Sequence, residues 1–239
     1  MGPSVCRPLD HTVDRGPWTS TCDWLKAYVK SELSGLLNDP EKYRESRKGY
    51  NLDNGNPPYA YHVAWLKTLL ATMDKLEYLH SIPPAVERPA LFHEDLSGGN
   101  VLYSYPDPTI LAGIIDFEGA RVVPLWSAMD NPTSFMDGGE DDTDILLKLR
   151  LEILCKADPA CAQAQSYRKP LCLLRWLVSM GLTMWCSTEE LRETYKMMRE
   201  VWPIPEPAFT ALDELVALDP AGYCKDAELE ASEVKSFIS

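Results

Sequence analysis

His93, Asp95, Asn100 and Asp116 are the residues whose types and spacing fit a chemical task. All four lie in Leu91–Glu118, LFHEDLSGGNVLYSYPDPTILAGIIDFE. A loop carboxylate such as Asp95 is suited to orient and deprotonate an alcohol. Asn100, five residues on, and Asp116, at the end of an apolar run, offer the hard oxygen ligands that magnesium selects, with phosphate and water completing its shell. His93 fits bracing of the loop by hydrogen bonding. These are the parts phosphoryl transfer needs, because positioning and charge neutralisation carry most of that catalysis. Taken singly, each has a plainer account: an Asp near Gly98 and Gly99 makes a turn, and an Asp after a strand is often a cap. The order strand, H-x-D-x4-N, hairpin, D-F gives each element a job, and the combination carries the reading.

The elements that must position these residues follow from the flanking pattern. Val101–Tyr105 and Ile110–Ile115 are short β-branched and aromatic runs joined through Pro106, Asp107 and Pro108, which predicts two antiparallel strands. A hairpin sets its outer ends side by side, so the loop bearing Asp95 and Asn100 meets Asp116. Upstream, Ser20 and Asp23 open a helix whose stripe is Trp24, Leu25, Tyr28, Val29, Leu33, Leu36 and Leu37; Asn38 and Pro40 end it. Asn56, Pro57 and Pro58 begin a core helix with the stripe Trp65, Leu66, Leu69, Leu70, Met73, Leu76 and Leu79. His62 and His80 near its ends read as solvated or hydrogen-bonded rather than as ligands. After Glu118 the chain is expected to be irregular and acidic, then helical over Thr143–Lys156, from Ala160 or Pro170 to Cys186, over Thr188–Val201 and over Pro207–Leu218.

Composition bounds what such a site serves. With 239 residues and 45% hydrophobic content, the chain has enough apolar material for a packed core. A formal net charge of -13 argues against nucleic acid as a partner and is compatible with a cationic substrate. Seven scattered cysteines without a C-x-x-C pair read as reduced thiols, and residues 1–17 lack the apolar core of a secretory signal. No apolar run is long enough to cross a bilayer. A cytoplasmic location is expected, with no membrane partner.

HEDLSGGNVL followed by IIDFEGA resembles the aminoglycoside phosphotransferase and choline kinase branch of the protein-kinase-like fold, over about Trp18–Leu218. The resemblance implies an α+β, mostly helical fold: a C-terminal lobe whose small β-hairpin carries the catalytic loop. It implies Asp95 as catalytic base, His93 as support for the loop, and Asn100 and Asp116 as ligands of magnesium. It also implies ATP as phosphoryl donor and a small-molecule hydroxyl as acceptor. Glu118 stands where protein kinases have glycine; acidic variants are common in the small-molecule branch. The expected organisation is an extended segment over 1–17, the lobe over 18–218 and an acidic tail over 219–239.

The same resemblance implies an N-terminal β-rich lobe with a glycine-rich loop and a strand lysine. No G-x-G-x-x-G precedes residue 91, and Val63, Ala64 and Lys67, the nearest imitation of the lysine motif, fall on the core helix. The chain is therefore expected to lack that lobe and to begin near the interlobe hinge at Arg15–Trp18. Two functions follow: a small-molecule kinase incomplete in this chain, or a catalytically inactive kinase-like module that binds a ligand or protein. An exposed apolar patch near residues 1–20 and the hairpin, with self-association, is expected in either case. Lesser candidates have plainer accounts: Trp126 reads as core rather than as a pocket wall, Asp137, Glu140, Asp141, Asp142 and Asp144 read as a solvated loop that caps the following helix rather than as an attractor of amines, and a hydrolase metal site on His93, Glu94 and Asp95 ranks last.

Overall fold

The computed structural model describes residues 16–38, 59–93, 95–96, 98–129, 140–182 and 188–218. Helix α1, Thr21–Asn38, starts where the sequence places it. Ser20 Oγ accepts from the Asp23 amide at 3.1 Å and donates to the Asp23 carboxylate at 2.8 Å, a reciprocal cap that satisfies an amide the helix leaves open. Trp24, Leu25, Val29, Leu33 and Leu36 are buried as the stripe requires. Helix α2, Tyr59–Met73, packs against α1, and the expected N-cap at Asn56 lies outside the described residues.

The core helix does not run unbroken to Leu79. It stops at Met73, and a separate turn, α3, Glu77–His80, follows an extended Leu76. The reason is distant in sequence: the buried Glu206 carboxylate accepts from the Glu77 and Tyr78 amides at 3.0 and 2.8 Å, so a second helix start is satisfied there. Asp74, in the break, pairs with Lys26 of α1.

Helix α4, Pro84–Glu87, leads into β1, Pro89–Phe92. Strands β2, Val101–Tyr103, and β3, Leu111–Ile114, form the expected hairpin, with Val101 opposite Ile114 and an irregularity at Leu102/Tyr103. At its turn Asp107 Oδ1 accepts from the Thr109 amide and hydroxyl at 2.9 and 2.7 Å. The stretch after Glu118, expected to be irregular, instead forms β4, Arg121–Pro124, and α5, Leu125–Ala128. β4 pairs antiparallel with β1, so the partner that orders it lies about thirty residues upstream and leaves no local signal. Trp126 is buried, which makes it core.

Four more helices follow among the described residues: α6, Glu140–Ala157, α7, Pro159–Leu182, α8, Thr188–Val201, and, opened by a 3-10 turn at Pro207–Phe209, α9, Thr210–Ala217. Asp158 Oδ1 accepts from the Ala160 amide at 2.9 Å with Pro159 at the first helical position, so α7 begins there and runs through Pro170. Asp137 lies outside the described residues, as do the side chains of Glu140, Asp141, Asp142 and Asp144.

The described residues fall into two compact units, the first made of those from 82 to 169 and the second of those up to 81 together with those from 170 on. In the second, α2 packs between α1 and α9, and an edge-to-face series runs through Tyr78, Trp202, Phe209, Tyr195 and Trp65 with centroids 5.1 to 6.3 Å apart. In the first, Arg88 pairs with Asp158, and Arg150 donates to the Ala128 and Met129 carbonyls at the end of α5. The fold is α+β and mostly helical, with two two-stranded antiparallel sheets, β1–β4 and β2–β3. No helix among the described residues is long and apolar enough to cross a membrane. Cys22, Cys155, Cys161 and Cys172 are thiols outside any disulfide. His62 is buried, and His80 is exposed with its Nε2 3.1 Å from the Asp74 carbonyl oxygen.

Candidate active site

All four residues singled out by type and spacing belong to the first unit. β1 delivers the chain to His93 at its end. A turn carries Asp95, a 3-10 turn at Gly98–Asn100 carries Asn100 into β2, and β3 returns to Asp116. The hairpin thus does the work its sequence implies, since it returns the chain to where it left.

Asn100 joins the two sides. Its Nδ2 donates to the Asp95 carbonyl at 2.8 Å and to the Asp95 carboxylate at 3.2 Å. Its own carbonyl accepts from the Ile115 amide at 3.0 Å, which ties the residue preceding Asp116 to the loop. With Nδ2 committed to Asp95, the amide offers Oδ1 to a cation. Asp116 has φ 64° and ψ 54°, the left-handed region, and makes no side-chain cap hydrogen bond to the 3-10 turn Phe117–Gly119 that follows it. A non-glycine residue held there costs about 1–2 kcal/mol, so the surroundings impose the conformation. Both Asp95 and Asp116 are exposed to solvent.

His93 holds the opposite side of this junction. Its Nε2 donates to the Ile115 carbonyl at 2.9 Å, and its ring meets Phe117 edge-to-face at 4.9 Å. Ile115 therefore gives its amide to Asn100 and accepts from His93, fixing the peptide on which Asp116 is mounted. Nδ1 of His93 is buried and has no hydrogen-bond partner among the described residues. Phe117 enters the sequence only as the aromatic of the D-F string, with no role of its own there.

Residues 26–127 match the phosphotransferase enzyme family. The matched span contains every residue of this junction, and it agrees with the resemblance to the aminoglycoside phosphotransferases that HEDLSGGNVL and IIDFEGA carry. No curated protein and no solved structure matches the chain.

The family match also bears on the weaker alternative of a metal hydrolase built on His93, Glu94 and Asp95. Glu94 lies outside the described residues, and among those described no three His, Cys, Asp or Glu side chains stand together as a metal-binding group. A magnesium site in a phosphotransferase asks for less, one or two protein oxygens with the remainder from phosphate and water. Asn100 Oδ1 and the uncapped Asp116 carboxylate suit that demand.

Proposed function

We propose that this chain supplies the catalytic centre of an ATP- and magnesium-dependent phosphotransferase acting on a hydroxyl of a small molecule. The observation that carries the proposal is the junction itself: one amide, Asn100, hydrogen-bonds the candidate base while its backbone holds the strand end that presents Asp116. In the proposed reaction the acceptor oxygen attacks the γ-phosphorus, the bond from that phosphorus to the ADP oxygen breaks, and the hydroxyl proton passes to the Asp95 carboxylate. ADP leaves with the bridging oxygen. Magnesium, when bound, neutralises charge on the phosphate oxygens, with Asn100 and Asp116 as its protein ligands. His93 acts through Ile115 and Phe117 as a positioning residue. The acidic balance of the chain favours a cationic acceptor.

A second function rests on a different observation. Lys67, the nearest approach to the lysine motif of a kinase nucleotide lobe, lies within α2 and not on a strand. A cation on the phosphates supplies a large part of the transition-state stabilisation. Without one, the same residues make a binding module with negligible turnover.

Magnesium-dependent ATP hydrolysis, or phosphorylation of amino-alcohol acceptors, by the 239-residue chain decides between the two. The proposal expects activity that falls by roughly 10²–10⁴ in Asp95→Asn, the usual worth of a general base. Activity unchanged by that substitution sinks the catalytic role of Asp95, and a folded chain with no activity leaves the binding module.

A further inference from the structure

Glycine gives up more conformational freedom on folding than any other residue, and two needs ordinarily outweigh that loss: a left-handed backbone, or a neighbour too close for a side chain. Gly16 has both, with φ 78° and the Trp18 amide nitrogen 2.8 Å from where a Cβ would stand. Gly98 has neither. Its φ lies outside the left-handed region. Apart from its chain neighbours and the backbone of its own turn, no described atom comes within 4 Å of the place a Cβ would take. The fold therefore accepts alanine at 98, and alanine stabilises it by restricting the unfolded chain.

Position gives this glycine its meaning. Gly98 opens the 3-10 turn that ends at Asn100, inside the loop that Asn100 Nδ2 closes by donating to the Asp95 carbonyl and carboxylate at 2.8 and 3.2 Å. Within that loop Asp95, Gly98 and Gly99 are exposed while Leu96 and Asn100 are half-buried, so the candidate base and the bare glycine share the outer side. Three peptide units hold their Cα atoms within about 11 Å even at full extension, and the closed loop brings them nearer. An acceptor whose hydroxyl meets the Asp95 carboxylate thus has its body beside the open space at Gly98.

We propose that Gly98 sets which acceptors fit: its missing side chain leaves room beside Asp95 for a molecule that is bulky at the carbon bearing the hydroxyl, such as a secondary alcohol on a ring. The inference rests on the phosphotransferase reading above and extends it from the hydroxyl to the group that carries it. Stability that alanine offers is forgone at 98, and reactive centres are where a fold makes that trade.

Steady-state kinetics of the full chain tests this with 2-aminoethanol and trans-2-aminocyclohexanol, which place the same amine–hydroxyl spacing on a primary carbon and on a ring. In Gly98→Ala, kcat/KM for the ring acceptor is expected to fall about tenfold, chiefly through KM, and further in Gly98→Leu. For Gly98→Ala, 2-aminoethanol is expected to change by less than about twofold, with KM for magnesium-ATP unmoved. The urea midpoint of Gly98→Ala is expected at or above that of the parent. Gly35→Ala, on α1, where a Cβ likewise meets nothing within 4 Å, is expected to gain stability with both acceptors unaffected. A Gly98→Ala chain with unchanged constants for the ring acceptor overturns the proposal. So does an equal loss for both acceptors, a lowered urea midpoint, or a parent that phosphorylates 2-aminoethanol and not the ring. A parent inactive toward both acceptors removes the phosphotransferase reading itself, and the two fall together.

Discussion

Asp116 concentrates the tension between stability and chemistry at the scale of one residue. Its left-handed backbone is a conformation glycine adopts freely, yet the position carries a carboxylate that caps nothing. Replacing it with glycine relieves the backbone and discards the proposed metal ligand. Asp116→Gly is expected to unfold in urea no earlier than the parent while losing magnesium-dependent activity, whereas Asp116→Val, β-branched and intolerant of positive φ, is expected to lose about 1–3 kcal/mol. A glycine variant clearly less stable than the parent would show that the Asp116 side chain has a structural partner after all. His93 and Asn100 hold the two peptide units that flank Ile115, so the three positions are coupled and their substitutions should not add.

Between elements, the decisive group is Glu206. It sits in a proline-rich turn, is only 5% exposed, and serves as acceptor for two amides at the start of α3, with Trp202 Nε1 3.5 Å from one of its oxygens. No feature near residue 77 announces this cap, which is why the periodic stripe through Leu76 and Leu79 reads as one helix although the chain makes two. Removing the carboxylate leaves buried donors unsatisfied. Glu206→Ala is expected to cost about 2–4 kcal/mol in chemical denaturation, and Glu206→Gln, which keeps one acceptor oxygen, a smaller amount. Equal stabilities for parent and alanine variant would mean that water replaces the carboxylate without penalty. Elements with purely local causes were read correctly: α1 from its Ser20 cap and stripe, α8 from Thr188 to Val201, and the hairpin from two β-rich runs around a proline turn.

At the scale of the whole molecule, alkaline pH is the condition under which the fold should weaken. Burial raises the ionisation of Tyr61 and Tyr195 above the ordinary value of 10; a hydrogen bond from Tyr195 to Asp213 at 2.6 Å adds to the effect. Lys26 is raised chiefly by its hydrogen bond to Asp74. Each group therefore holds its proton more tightly folded than unfolded, so the stability linked to it is complete below its unfolded value and is lost as pH climbs toward the folded one. Each contributes at most about 1.4 kcal/mol per pH unit in that window. Melting temperature is expected to hold to about pH 9.5 and fall beyond it, and Tyr195→Phe should flatten the decline. A melting temperature constant to pH 11.5 would contradict the raised ionisations.

The sequence alone singled out the candidate site residues, because H-x-D-x4-N and D-F are local strings, and the hairpin between them follows from adjacent turn residues. Those same strings lie within the span that matches the phosphotransferase family. The break after Met73 and strand β4 were settled only by tertiary structure, since each depends on a partner many residues away. The left-handed Asp116 belongs with them: its residue type permits ordinary backbone, and nothing in the local sequence announces the rarer one.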